Sequence, residues 1–224
     1  EFICSGTVAR WAAAGCELTY VVATSGDKGS DDPAMTSERL VTLREAEQRD
    51  AANVLGVKHV EFLRYRDAEL MPDLGLRLAI TRMVRTYRPE AVICQDPTAR
   101  WRGQGYVQHP DHLAVGEATL AAVFPAARDR LTFPELLAEG LEPHKTPHVF
   151  LMGATEPDVW VDIGEFIDKK IEAMAAHRSQ MGDWDFAPMI LRWARDTAAE
   201  ARLKGFPGAD AIELAESFKY FRLA

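Results

Sequence analysis

The stretch CELTYVVATSGDKGS, residues 16–30, decides the fold, because a buried strand runs here directly into a glycine-bearing loop. Residues 16–24 are mostly apolar and contain several β-branched side chains, a composition typical of a strand. The following residues, 25–30, combine serine, aspartate and two glycines, which indicates a loop. A short helix over 7–14, ended by Gly15, is predicted just before the strand.

Strands and helices alternate in the first half of the chain. The elements predicted in the first half are a helix over 36–55, a strand over 57–63, a helix over 74–87 and a strand over 91–94. Those predicted in the second half are helices over 110–123, 163–176 and 190–204 and a strand over 148–152. Parallel strands need a crossover, which is usually helical. The sequence therefore predicts an α/β fold, a Rossmann-like three-layer α/β/α sandwich with a mostly parallel sheet.

Composition limits the classes of function. The chain has 224 residues, 47% hydrophobic and 27% charged, which fits one globular domain. Its net charge of -8 is spread along the chain and leaves no basic stripe for nucleic acid. No run approaches the roughly 20 apolar residues that span a bilayer, and no secretion signal is visible. The three cysteines, an odd number without disulfide-like spacing, indicate reduced thiols and a cytoplasmic location.

The most informative motif is His109-Pro110-Asp111-His112, where an irregular loop becomes a helix. Proline suits the first helical position because its missing N–H costs nothing there. Imidazoles three residues apart can converge on one divalent metal, with Asp111 orienting one ring from behind. The spacing alone also allows an alternative without a metal, in which His109 only caps the helix and His112 packs on the surface. A catalytic metal needs about three protein ligands, so others would have to come from elsewhere in the chain.

Three further positions have both a structural and a functional interpretation. Arg44 lies along the apolar side of its helix with Glu47, either as a surface ion pair or as a guanidinium that binds sugar hydroxyls or phosphate. Asp67 falls in the loop after a strand, where ligands bind in α/β folds, or is simply solvated. His177 ends a helix, where a lone histidine is usually structural.

Together these segments resemble the LmbE-like or PIG-L family of zinc-dependent N-deacetylases. The matching segments, which cover most of the chain, are 24–29, 44–47 with 55–57, 62–70, 109–112 and 170–180. The family pattern begins with a strand ending in Ala-His-Pro-Asp-Asp, whose histidine and second aspartate bind zinc and whose first aspartate is the general base. Residues 1–2 resemble the stretch just after that motif. We therefore expect a single deacetylase domain over 1–224 that lacks its first strand and the metal-binding loop upstream of Glu1.

The resemblance implies a role for each matching residue. His112 would bind the metal, Zn²⁺ or another divalent ion, and His109, tuned by Asp111, would face the scissile carbonyl. Arg44 and Asp67 would bind substrate, and His177 would lie near the reacting centre. The implied activity is removal of an N-acyl group, acetyl in the first instance, from an N-acylated amino sugar or glycoconjugate. Relatives often assemble, so a homo-oligomer is compatible with the resemblance.

Two other functions remain open at the level of sequence. Residues 25–30 follow a strand, as a phosphate-binding loop does, which would suit a nucleotide-dependent transferase on a Rossmann-like fold. Their spacing departs from the known phosphate-binding fingerprints. A catalytically inactive relative that only binds sugar is the second alternative.

Overall fold

The computed structural model describes residues 1–102 and 104–224, with the backbone alone for Arg102. The irregular loop that the sequence predicts before His109 covers residues 96–108, and Gly103 within it lies outside the described residues. The chain groups into two compact units, the first comprising Glu1–Arg64 and Pro157–Ser217 and the second Tyr65–Glu156 and Phe218–Ala224. The expectation of one deacetylase domain stays a prediction.

The first unit is mainly helical. Its elements are α1 (Ser5–Ala13), β1 (Thr19–Thr24), α2 (Ser37–Leu55), β2 (His59–Tyr65), β7 (Val159–Asp162), α6 (Ile167–Ala175), α7 (Arg178–Met181), α8 (Ala187–Leu203) and the start of β8 (Ala215–Arg222). Thr36 caps α2 by accepting the N–H of Arg39, and Gly56 ends the helix in the left-handed region, where a Cβ would be strained. Strands β1 and β2 pair with each other.

Small residues let the helices of the first unit approach closely. Ala51 and Ala52 of α2, Ala9 of α1 and Ala173 of α6 share one core cluster and are at most 1% exposed. The buried carboxylate of Glu216 accepts the N–H groups of residues 6 and 7 at the start of α1. These contacts satisfy helix-end donors that would otherwise be unpaired in the core.

The second unit combines a sheet with packed helices. Its elements are α3 (Leu74–Tyr87), β3 (Ala91–Gln95), β4 (Trp101–Arg102), β5 (Tyr106–Val107), α4 (Pro110–Val123), α5 (Glu135–Ala138), β6 (His148–Met152) and the rest of β8. Helix α4 packs against both α3 and β3. A Cβ on Gly116 would lie 2.5 Å from the carbonyl oxygen of Gln95, so glycine is required where α4 crosses the end of β3.

The sheet of the second unit is mixed. Strand β3 runs parallel to β6, with Ala91 opposite His148, whereas β8 runs antiparallel to β6, with Phe218 opposite Met152. The predicted α/β class is confirmed, and helices α3 and α4 have the predicted bounds. The mostly parallel sheet is a correction, because the C-terminal strand, which the sequence pattern did not predict, enters in the opposite direction. The three-layer Rossmann-like arrangement stays a prediction.

None of the helices in the described part of the chain combines the length and the apolar character that crossing a bilayer requires.

Candidate functional site

The site begins at the first turn of α4. His109 is the N-cap residue, and its Nδ1 atom accepts the backbone N–H of Asp111 at 3.3 Å. Pro110 occupies the first helical turn, as its preset φ favours. The ring centroids of His109 and His112 lie 5.6 Å apart. One helix start therefore holds both imidazoles side by side.

Asp67, His109 and Asp111 form a group that could hold a metal ion. Each offers one ligand atom, and these atoms lie within 4.8 Å of one another. The Nε2 atom of His109 lies 3.8 Å from an oxygen of Asp67, and its Nδ1 atom lies 3.9 Å from an oxygen of Asp111. One imidazole nitrogen and two carboxylates are donors that divalent ions such as Zn²⁺ accept.

The loop after β2 is fixed by Asp111, which is only 5% exposed. Its two carboxylate oxygens accept the N–H groups of Ala68 at 2.7 Å and Leu70 at 3.2 Å. A carboxylate has about four acceptor directions, so these bonds leave capacity for another ligand. Asp111 thus places Asp67 beside His109.

The hydrogen bond from the backbone N–H of Asp111 also fixes where neutral His109 carries its proton. Because Nδ1 accepts the N–H of Asp111, that nitrogen holds a lone pair, and the proton of the neutral ring lies on Nε2. The Nε2–H group faces Asp67. In this state His109 is a proton donor rather than a metal ligand.

His112 is flanked by two buried glutamines. Its Nδ1 atom lies 3.2 Å from Oε1 of Gln108 and 3.4 Å from Nε2 of Gln95. One part of His112 is open to solvent, whereas nearby protein atoms keep water away from the rest of the ring. This desolvation, followed by the effect of neighbouring His109, lowers the pKa of His112. The neutral imidazole, which is the form that binds metals, is therefore favoured.

Arg44 lies in the first unit, on α2. Its guanidinium donates to the carbonyl oxygens of Gly26 at 2.7 Å, Lys28 at 2.9 Å and Gly29 at 3.1 Å. Gly26 has a φ of 64°, and a Cβ there would lie 2.5 Å from the guanidinium. In this structure Arg44 holds the loop that follows β1. Its predicted contact with substrate stays a prediction.

His177 also lies in the first unit and is 8% exposed. Its Nε2 atom lies 3.1 Å from a carboxylate oxygen of Glu1, whose other oxygen accepts from Gln48. Its Nδ1 atom is buried without a hydrogen-bond partner among the described residues. The predicted role of His177 near a reacting centre stays a prediction, as do the roles of the other residues.

The PIG-L family model, described as GlcNAc-PI de-N-acetylase, matches residues 1–123, which include the His109–His112 motif. The chain belongs to the PIG-L family. A diacetylchitobiose deacetylase from Thermococcus kodakarensis is 30% identical over 84% of this chain and 68% of its own length. A probable N-acetyl-alpha-D-glucosaminyl L-malate deacetylase 2 from Bacillus anthracis is 32% identical over 80% of this chain and 76% of its own.

The same fold is known from a solved PIG-L relative. The N,N'-diacetylchitobiose deacetylase from Pyrococcus horikoshii superposes with a TM-score of 0.86 at 26% identity, covering 99% of this chain and 79% of that one. The similarity therefore extends beyond the residues that the family model matches.

Two site residues of this PIG-L chain were not predicted from the sequence. Gln95 is the last residue of β3, and Gln108 directly precedes His109. Both are buried, at 6% and 5% exposure. A polar residue at the carboxyl end of an apolar strand is a signal that could have indicated Gln95.

Proposed function

We propose that this chain is a metal-dependent hydrolase that removes an N-acyl group, acetyl in the first instance, from an amino-sugar-type small molecule. The observation that carries the proposal is the pair of imidazoles of His109 and His112 at the start of α4, with the carboxylates of Asp67 and Asp111 beside His109. Family membership supports the reaction, and the three relatives named above are, by their names, deacetylases of amino-sugar compounds.

We propose that His112 is a metal ligand and that His109 acts beside the metal. The Nδ1 atom of His112 is engaged with Gln108, which leaves Nε2 for a metal, whereas the Nε2 atom of His109 carries a proton. Zn²⁺ suits imidazole and carboxylate donors, although other divalent ions share them. When bound, the ion would supply Lewis acidity for the amide carbonyl and make water more acidic.

The residues of this chain support acid catalysis in amide hydrolysis. The reaction breaks the C–N bond, adds the oxygen of water to the acyl carbon and leaves a proton on the amine. The Nε2–H of His109 can donate to the carbonyl oxygen as negative charge develops there, or to the departing nitrogen. Asp111 supports this role because its backbone N–H fixes the tautomer of His109.

Substrate recognition is assigned to Asp67 and Arg44, and His177 is kept as a catalytic candidate. A carboxylate such as Asp67 accepts hydrogen bonds from sugar hydroxyls, and it lies 3.8 Å from His109. The guanidinium of Arg44 has five N–H donors, of which the loop carbonyls occupy only part. His177 retains a buried Nδ1 atom without a partner among the described residues.

The nucleotide-dependent alternative is less well supported. Phosphate-binding loops present backbone N–H groups to the ligand. In this chain the loop after β1 instead directs three carbonyl oxygens at Arg44.

We also propose a cytoplasmic location, since Cys4, Cys16 and Cys94 are all free thiols. A homo-oligomer stays a prediction.

The proposal is tested with the full-length chain by measuring amine release from a panel of N-acetylated sugars, including diacetylchitobiose. Metal content and activity are measured before and after exhaustive chelation. We expect activity to disappear with the metal and to return with Zn²⁺ or another divalent ion. Hydrolysis that persists after complete demetallation would refute the metal-dependent mechanism, and activity only as a nucleotide-dependent transferase would favour the alternative.

Two histidine variants separate metal binding from proton donation. His112→Ala should lose the metal, whereas His109→Ala should keep it and lose roughly 10²–10⁴-fold in turnover. His59→Ala is the control, because this partly exposed histidine pairs with Glu17 on the surface of the first unit. Full metal in His112→Ala together with loss in His109→Ala would assign the metal to the Asp67–His109–Asp111 group instead.

A further inference from the structure

The side chain of Gln108 has a fixed orientation because it receives a hydrogen bond from the backbone. The N–H of His109 donates to Oε1 of Gln108 at 3.2 Å, and a backbone N–H can only donate. The hydroxyl of Tyr106 donates to the same oxygen at 2.7 Å. The end of the amide that faces these groups is therefore the oxygen.

This orientation decides the tautomer of His112. The same Oε1 atom lies 3.2 Å from Nδ1 of His112, and an amide oxygen can only accept. Two facing lone pairs would repel, so Nδ1 must carry the proton and donate to Gln108. The lone pair of the neutral ring then lies on Nε2, the nitrogen that remains for a metal.

Gln95 offers the competing interpretation. Its Nε2 atom lies 3.4 Å from the same Nδ1 atom and would donate to it if Nδ1 held the lone pair. No contact among the described residues fixes this amide, because its Oε1 atom is buried without a hydrogen-bond partner. A 180° rotation exchanges the two ends of the amide with almost no change of shape and turns Oε1 towards Nδ1–H. The orientation of Gln95 can therefore adjust to the tautomer of His112 that Gln108 sets.

We infer that Gln108, assisted by Gln95, is a positioning residue that holds His112 as the Nδ1–H tautomer and so presents the Nε2 lone pair to a divalent metal. The inference rests on the proposed metal role of His112. Groups that hydrogen-bond the second nitrogen of a metal-binding histidine typically contribute 10–100-fold to metal affinity. Both glutamines are buried, so water competes little for their amide groups.

The tautomer can be read directly from side-chain ¹⁵N NMR of the metal-free protein at a pH where the ring is neutral. The signals of His112 are assigned by their loss in His112→Ala. We expect a protonated Nδ1 and an unprotonated Nε2 in the unmodified chain. An unmodified chain with the proton on Nε2 would overturn the inference without any variant at the glutamines.

Variants then test the link from tautomer to metal. Gln108→Glu keeps an acceptor towards Nδ1–H and should retain both the tautomer and metal affinity to within a few-fold. Gln108→Leu removes the acceptor, so the Nε2–H form should appear and zinc affinity, measured by competition with a chelator, should fall roughly 10–100-fold. Gln95→Leu should cause a smaller loss. Gln180→Leu, at an exposed glutamine of α7, is the control.

The outcomes distinguish this inference from the proposed function. An Nδ1–H tautomer that depends on Gln108, in a chain that hydrolyses no amide, would support the inference and count against the deacetylase reaction. Amide hydrolysis by the unmodified chain, together with an unchanged tautomer and zinc affinity in a folded Gln108→Leu variant, would support the deacetylase reaction and overturn the inference. Circular dichroism establishes that the variants are folded.

Discussion

The carboxylate of Asp111 accepts the backbone N–H of Ala68 at 2.7 Å, which joins the first turn of α4 to the loop after β2. Ala68 has a φ of 60°, in the left-handed region that non-glycine residues seldom adopt. The second oxygen of Asp111 accepts from Leu70. These two bonds offset the strain at Ala68 and keep Asp67 within reach of His109.

Replacement of Asp111 should therefore affect stability and turnover together. Asp111→Ala leaves two loop N–H groups without their acceptor, which should cost about 1–3 kcal/mol in the free energy of unfolding. Turnover of the folded variant should fall more than tenfold because Asp67 is no longer positioned. Asp111→Asn, which keeps one acceptor oxygen, should lie in between. Urea unfolding measures the stability and kcat measures the turnover, and Asp50→Ala, at an exposed aspartate, is the control. An Asp111→Ala variant that equals the unmodified chain in both would contradict the positioning role of Asp111.

Replacement of Arg44 should loosen the loop after β1. Lysine has no planar fork with which to reach three carbonyl oxygens, so Arg44→Lys should lose hydrogen bonds worth roughly 1.5–3 kcal/mol. Amide hydrogen exchange over residues 26–31 should then accelerate about tenfold or more. Arg39→Lys is the control, because Arg39 donates to Ala34 outside this segment. Unchanged exchange with a raised KM for the sugar would instead favour the direct substrate contact predicted from the sequence.

The sequence allowed α4 to be predicted from Pro110 to Val123 because its signals are local. Proline at the first turn and the apolar residues that follow depend on nothing outside the helix. The direction of β8 could not be predicted in this way. This strand pairs with β6, which lies far earlier in the chain: Phe218 is opposite Met152, and Arg222 is opposite His148. The direction of a strand depends on such distant pairing.

The same limit applies to the site. The His109–His112 motif was visible as a short pattern, but its link to Asp67 passes through two backbone bonds to Asp111 that no spacing rule describes. The roles of Gln95 and Gln108 depend on the orientation of an amide and on one ring nitrogen. Such details follow from three-dimensional hydrogen bonding and leave no periodic signal in the sequence.

Two arginines on α3 should differ in their importance for stability. Arg85 is 2% exposed and donates to several carbonyl oxygens in the segment after α4, including those of Ala126 and Asp129. Arg85→Met should cost about 3 kcal/mol or more, because buried carbonyl groups lose their donor. Arg82 makes a partly exposed pair with Glu139, and Arg82→Met should cost about 1 kcal/mol or less. Urea unfolding compares the two, and equal losses would contradict the burial argument.

Glu45 should stabilise the fold in a pH-dependent way. Its carboxylate accepts from Arg64 at 2.8 Å and from Ser25 at 2.8 Å. The pKa of Glu45 is lowered from 4.5 to about 2, chiefly by the hydrogen bond from Arg64. This effect outweighs burial, which acts in the opposite direction. A carboxyl group with a lowered pKa in the folded state stabilises it above the unfolded pKa and loses that contribution as the pH falls through the folded pKa.

Glu45→Gln should therefore be less stable than the unmodified chain near pH 7, by on the order of 1–2 kcal/mol, since solvent around the exposed Arg64 weakens the pair. The difference should shrink as the pH falls from about 4.5 to about 2. Urea unfolding at several pH values measures it. In an Arg64→Met background the same substitution should show a much weaker pH dependence, because the main cause of the pKa shift is gone. A difference that stays constant from pH 7 to acid would show that Glu45 acts through packing alone.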